Sequence, residues 1–177
     1  MLQSHRISEV DEESSVRFFS ALMDTLGAAG YEHYEISNFC KPGMYSRHNT
    51  AYWKGIPYLG CGPSAHSYNG VSRQWNVASL DTYIKGISAG TPVFEIEELD
   101  LYTRYNDFVI TRIRTEWGMP LSKLRDEFGE KLYDYCLRMA APHLKQGTLE
   151  LVNDILKLTR KGIFISDGIM SDMLWTD

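Results

Sequence analysis

Cysteine is scarce in this chain, with Cys40, Cys61 and Cys136 the only three among 177 residues. The number is odd, the spacings are wide and no Cys-x-x-Cys pair occurs. Neither a disulfide framework nor a cysteine-only metal site is indicated, and reduced thiols are expected. An excess of positive charge is also missing: 18 Lys and Arg stand against 23 Asp and Glu, a formal net charge of -5. That balance gives no general attraction to phosphate backbones, so a nucleic-acid partner is not expected. No window approaches the ~18 uninterrupted apolar residues of a membrane span. The opening MLQSHRISEVDEESS lacks the apolar segment of a signal peptide, so a cytoplasmic chain without a transmembrane segment is expected. Internal repeats and low-complexity tracts are absent as well.

The remaining composition, 44% hydrophobic and 23% charged, is that of a chain able to bury one sizeable core or two small ones. Ser8 followed by Asp11 reads as a capping box, which predicts a helix over Glu9–Ala28 with one buried face carrying Val10, Phe18, Phe19, Leu22 and Leu26. Tyr31–Phe39, YEHYEISNF, is rich in aromatic and β-branched residues and predicts a strand running into a turn at Pro42–Gly43. Pro57–Tyr68 and Arg73–Val77 read as short strand-like pieces around an Asn69–Gly70 turn. Leu80–Ser88 reads as a helix ending at Gly90, and Thr91–Pro92 as a break. The domain boundary is expected there, giving domains over 1–92 and 93–177.

From Glu97 the pattern turns helical. Leu99, Tyr102, Val109, Ile113 and Trp117 recur at helical intervals up to Gly118. Helices over Pro120–Phe128 and Glu130–Lys145, a hairpin over Thr148–Thr159 about a Val-Asn-Asp turn, and a last helix over Arg160–Leu174 follow. The expected fold class is α/β, followed by a mostly helical, winged-helix-like C-terminal domain with a β-hairpin wing.

The chemistry is concentrated in YSRHNTAYWKG, residues 45–55. If this stretch is helical, His48 and Tyr52 share one face, as do Asn49 and Trp53. An exposed neutral imidazole among aromatic rings can serve as an axial ligand to haem iron. Equally, His48 and Asn49 can hydrogen-bond neighbouring loops while Tyr52 and Trp53 fill the core. GCGPSAHSYNG, residues 60–70, carries glycines at 60 and 62 where backbone must come close to something. It lacks the third glycine of a dinucleotide fingerprint and the Gly-x-Ser-x-Gly frame of a nucleophile elbow. Glu32, His33, Glu35 and His66 could compose a metal site, but alternation puts Glu32 on the other strand face from His33 and Glu35. No metal ligand is assigned.

Taken together, YEISNFCKPGMYSRHNTAYWKGIPYLGCGPSAHSY resembles the oxygen-independent coproporphyrinogen III oxidase-like family of radical-SAM proteins (HemN/HemW), and within it the haem-chaperone branch, HemW. The similarity is densest over Gly30–Asn76. The resemblance implies that the chain corresponds to the C-terminal half of such a protein: the end of an incomplete (β/α) barrel and the family's small C-terminal domain. It implies S-adenosylmethionine and a [4Fe–4S] cluster as cofactors of the intact protein, and haem or porphyrin with haem-accepting client proteins as partners. His48, Asn49, Tyr52 and Trp53 match the His-Asn-x-x-Tyr-Trp motif associated with haem binding. Phe39, Cys40 and Pro42, with Gly60 and Gly62, match positions bordering the S-adenosylmethionine pocket, where alanine is usual at position 40. The family's cluster motif, Cys-x-x-x-Cys-x-Cys, does not occur. A fragment without catalytic residues, inactive alone, is therefore expected, and a truncated barrel with exposed strand edges is open to homodimerisation.

Two other functions stay open from sequence. One is oxidative decarboxylation of coproporphyrinogen III propionates by the intact protein. The other is a winged-helix binding module, although from Gly118 onward eight Lys/Arg meet nine Asp/Glu, which leaves no basic recognition face.

Overall fold

The structure is a computed structural model and describes residues 10–176. Helix α1 spans Glu12–Ala28 and starts where Asp11, in extended conformation, accepts a hydrogen bond from the Ser14 amide at 2.8 Å. That places the cap three residues later than the Ser8 capping box predicted; Ser8 and Glu9 lie outside the described residues. The predicted apolar face is mostly open. Val10, Phe18 and Leu22 are exposed and only Met23 is buried.

The stretch expected to be one strand is a hairpin. Strands β1, Glu32–Glu35, and β2, Asn38–Cys40, pair antiparallel around Ile36 and Ser37. Glu35 drives the reversal: its carboxylate, 2% exposed, accepts hydrogen bonds from the Ser37 amide and the Asn38 side chain. The Lys41–Met44 turn follows as predicted, closed by the Met44 amide on the Lys41 carbonyl at 2.9 Å. These elements lie in the first of two units, Met1–Tyr45; the second is Ser46–Asp177. The expected boundary at 92/93 falls inside the second unit.

The second unit opens with α2, Arg47–Trp53, capped by Ser46. Strands β3, His66–Tyr68, β4, Ser72–Asn76, and β5, Phe94–Glu98, form an antiparallel sheet in that order, with α3, Leu80–Ser88, between β4 and β5. Helix α3 and the β3–β4 turn match expectation. Strand β5 does not, because Glu97 pairs with Arg73 in the sheet rather than starting a helix. Its alternation of Phe94 and Ile96 with glutamates is a strand pattern. The N-terminal half of Pro57–Tyr68 contributes one isolated bridge, Tyr58 to Tyr68, and otherwise bends.

Helix α4, Leu101–Ile113, is capped by Asp100 and stops four residues short of Trp117. The Thr115 hydroxyl takes the Arg112 carbonyl at 2.9 Å, satisfying an acceptor that continued helix would have used. After β6, Met119–Pro120, comes α5, Leu121–Gln146. Gly129, at φ 79° and ψ 174°, divides α5 into the two helices predicted. The predicted hairpin is β7, Leu149–Val152, and β8, Ile155–Leu158, turning through Asn153 and Asp154 with positive φ at both. The sheet order is β6-β8-β7, antiparallel throughout. The expected last helix is two, α6 over Arg160–Ile163 and α7 over Ser166–Met173, because Ile165 leaves helical geometry at φ -126° and ψ 26°.

The core of this helical part is tightly enclosed. Tyr105, Val109, Ile113, Met119, Leu124, Cys136, Leu156 and Met173 are fully enclosed. Tyr105 donates its hydroxyl to the Met173 carbonyl at 3.1 Å, and Asn106 exchanges two hydrogen bonds with the backbone of Trp175. These bonds fasten residues 173–175 to α4.

Candidate functional site

The His-Asn-x-x-Tyr-Trp residues occupy α2, a helix of seven residues, and its two predicted faces behave differently. On one, the exposed His48 shares a hydrogen bond between Nε2 and the Tyr52 hydroxyl at 3.0 Å, with the rings edge to face at 4.8 Å. Tyr52 continues edge to face onto Tyr58 at 4.7 Å, and Tyr58 meets Tyr68 at 6.1 Å. Desolvation pushes the Tyr58 and Tyr68 phenols above their ordinary pKa, so both are neutral donors at physiological pH. The result is a row of aromatic rings leading away from an exposed imidazole.

At the start of α2 the backbone amide of Asn49 donates to the capping Ser46 hydroxyl at 3.3 Å. Trp53 lies under the Arg114 guanidinium, 4.4 Å from the ring centroid, and its indole nitrogen is enclosed without an acceptor among the described residues. Trp53 thus packs into its own unit, while His48 and Tyr52 present the chemistry. Spacing alone put both pairs on common faces and could not tell them apart.

Beyond Tyr52 the ring row borders a cavity of about 210 Å³. Five cations line it, Lys54, Arg73, Arg104, Arg112 and Lys123, against two carboxylates, Asp107 and Glu127. Arg73 pairs with Asp107 and lies 3.9 Å from Glu97. Burial pushes the Asp107 carboxyl above its usual range, and Arg73 partly offsets that. Arg112 donates to the Lys54 carbonyl at 3.0 Å and crosses the face of Phe108 at 5.3 Å. The cavity was not foreseen. Its arginines do have a sequence signal, since Arg104 and Arg112, eight apart, share a face of α4.

The glycines expected near S-adenosylmethionine have uses inside the fold. A side chain at Gly60 would meet the His66 carbonyl oxygen at 2.1 Å, so the close approach belongs to the chain's own backbone. Gly62 sits at φ 113° and donates to the Tyr83 hydroxyl at 3.0 Å. In the first unit, Cys40 is buried at the end of β2, ahead of the turn containing the exposed Pro42, and Phe39 stacks on His33 at 4.1 Å. The four residues weighed for a metal are otherwise engaged. Glu32 accepts from Tyr45, His33 donates to the Ile36 carbonyl, Glu35 holds the hairpin turn, and His66 lies 5.9 Å from Trp75.

Among the described residues no group of three or more His, Cys, Asp or Glu could hold a metal ion. Cys40 and Cys136 are buried and Cys61 is exposed. Burial lifts the Cys136 thiol to about 11, leaving it protonated. These residues do not fit an iron–sulfur cluster. No helix among the described residues is long and apolar enough to cross a membrane.

Residues 99–165, the stretch from just before α4 to the start of α7, match the HemN C-terminal domain. This stretch belongs to that family. The HemN C-terminal domain therefore comprises α4, the broken α5, the three-stranded wing and α6, the mostly helical module that sequence predicted. Over 150 residues the chain is 36% identical to a Mycobacterium tuberculosis protein named heme chaperone HemW, covering 84% of this chain and 36% of that one. It is 26% identical over 175 residues to the Bacillus subtilis protein of the same name, covering 98% and 46%. The chain thus spans less than half the length of either relative. In three dimensions it resembles Escherichia coli coproporphyrinogen III oxidase (HemN), a radical SAM enzyme, with a TM-score of 0.69 over 93% of this chain and 42% of that one at 18% identity. The α/β fold leading into the HemN C-terminal domain is thus similar to that of part of the HemN structure.

Proposed function

We propose that this chain is part of a haem chaperone of the HemW kind and that His48, in α2, contacts the haem iron. The observation carrying this reading is the exposed His48 imidazole, oriented by the Tyr52 hydroxyl at 3.0 Å and backed by aromatic rings. A ligating histidine needs its second nitrogen held so that the first points outward, and a phenol can do this. Support also comes from the Mycobacterium tuberculosis and Bacillus subtilis relatives, both named heme chaperone HemW. Tyr52 supplies ring surface next to the imidazole, and Trp53 on the other face packs under Arg114. In a protein of the relatives' full length, S-adenosylmethionine and the cluster would be bound mainly through residues outside the stretch matched here. The boundary near 92/93 would then separate the end of the barrel from the HemN C-terminal domain, whose match begins at Leu99.

Haem titration followed by absorption and electron paramagnetic resonance tests this. The wild-type chain should bind haem with a histidine-ligated spectrum, and His48→Ala should lose that signature and at least about tenfold in affinity. Unchanged affinity and spectrum in the variant would remove His48 as the ligand. Decarboxylated product from coproporphyrinogen III, formed anaerobically by the full-length protein, would instead mark an oxidase.

A further inference from the structure

The geometry points to the basic cavity beside Tyr52 as the seat of the propionate carboxylates of the porphyrin, with Arg104 and Arg112 as the residues that hold them. This rests on the haem reading above. Three features of the cavity specify the ligand. Its lining is cationic, five basic side chains against two acidic ones. Arg73 already has Asp107 as a partner, but Arg104 makes no ion pair among the described residues, and Arg112 spends one Nη on the Lys54 carbonyl. The Nε of both Arg104 and Arg112 is enclosed, so their terminal Nη groups are the donors a ligand in the cavity would meet. A carboxylate accepts charge-assisted hydrogen bonds from guanidinium Nη groups, and both guanidiniums line this cavity.

Size and position narrow the ligand further. At about 210 Å³ the cavity admits the acid edge of a macrocycle rather than the whole ring. Its other walls, Tyr52, Tyr58, Tyr68, Phe108 and Phe128, are aromatic and suit the flat ring next to that edge. Tyr52 belongs both to the cavity and to the His48 pair, so iron at the imidazole and acid groups at the arginines lie on neighbouring parts of one surface. Haem carries two propionates on one edge, matching two guanidiniums with open donors.

The test compares haem with its dimethyl ester, which keeps ring and iron but has no carboxylates. The wild-type chain should bind the diacid at least about tenfold more tightly than the ester, in line with the strength of charge-assisted bidentate pairs. Arg104→Gln and Arg112→Gln should each shrink that ratio by weakening only the diacid, while Arg138→Gln, outside the cavity, leaves it intact. Arg104→Lys keeps the charge without the planar fork and should hold part of the ratio. Circular dichroism verifies that each variant is folded. A wild-type ratio of one, or a ratio unchanged in both glutamine variants, with His48-dependent haem binding intact, overturns the arginine assignment alone. Absence of His48-dependent binding of either form overturns the haem reading and this assignment with it.

Discussion

The Nε2 of His48 and the hydroxyl of Tyr52 lie 3.0 Å apart across one turn of α2, with their rings at 79°. Tyr52 therefore fixes the imidazole in direction, and its other edge meets Tyr58. Tyr52→Phe keeps the rings and deletes only the hydroxyl. Losing such a support for a ligand usually costs ten- to a hundredfold, so haem affinity should fall at least about tenfold while the circular dichroism spectrum stays constant. Unchanged affinity would mean that Tyr52 packs against His48 without orienting it.

Asp107 gives a pH signature with a definite sign. Its carboxyl is raised above 3.8, first by desolvation, with Arg73 opposing. The folded state therefore binds a proton more readily than the unfolded one, and the contribution of Asp107 to stability is greatest below 3.8 and declines as pH rises through its folded pKa. In Arg73→Gln the opposing cation is gone, and the Asp107 carboxyl should titrate at still higher pH by ¹³C NMR. A titration that stays put or moves down would show that Arg73 does not act on it.

Legibility in the sequence followed locality. The wing hairpin announced itself because Asn153 and Asp154 tolerate the positive φ that a tight turn needs. The division of α5 was readable from Gly129 for a similar reason. The β1–β2 reversal was missed because its turn residues, Ile36 and Ser37, include neither glycine nor proline; a buried Glu35 does the work through its side chain. The His48–Tyr52 pair was visible as an i, i+4 spacing. The cavity beside it was not, because it needs α4 and the start of α5 beside Tyr52 and Tyr68, an arrangement set by packing alone.

The thiols should separate by burial. Cys61 is exposed, while Cys40 and Cys136 are buried and burial lifts Cys136 to about 11. Since the thiolate is the nucleophile, alkylation of the native chain near pH 8 should modify Cys61 alone, and all three only after unfolding. Intact-mass spectrometry reads the count, and rapid native labelling of Cys136 would contradict the enclosed core.

The bond from Tyr105 to the Met173 carbonyl fastens α7 to α4 in a fully buried interior. Tyr105→Phe retains the ring and strands that carbonyl, a loss of about 1–3 kcal/mol for a buried group left unpaired. Thermal unfolding should shift down by several degrees. A midpoint within one degree, on the scale of about 2–4 °C per kcal/mol for a chain of this size, would mean that another donor replaces the phenol.

Gly129 isolates a purely conformational cost. At φ 79° and ψ 174° it occupies a region almost restricted to glycine, yet an added Cβ would meet nothing within 4 Å. Gly129→Ala should thus destabilise by about 1–3 kcal/mol through backbone strain and not through a clash. Reversing both dihedral signs gives ordinary extended backbone, so a D-alanine introduced by ligation suits this conformation where L-alanine does not. Calorimetry should rank the D-alanine chain above the L-alanine chain in melting temperature. The reverse order would show that α5 straightens through residue 129 and that the break is not fixed by its dihedral angles.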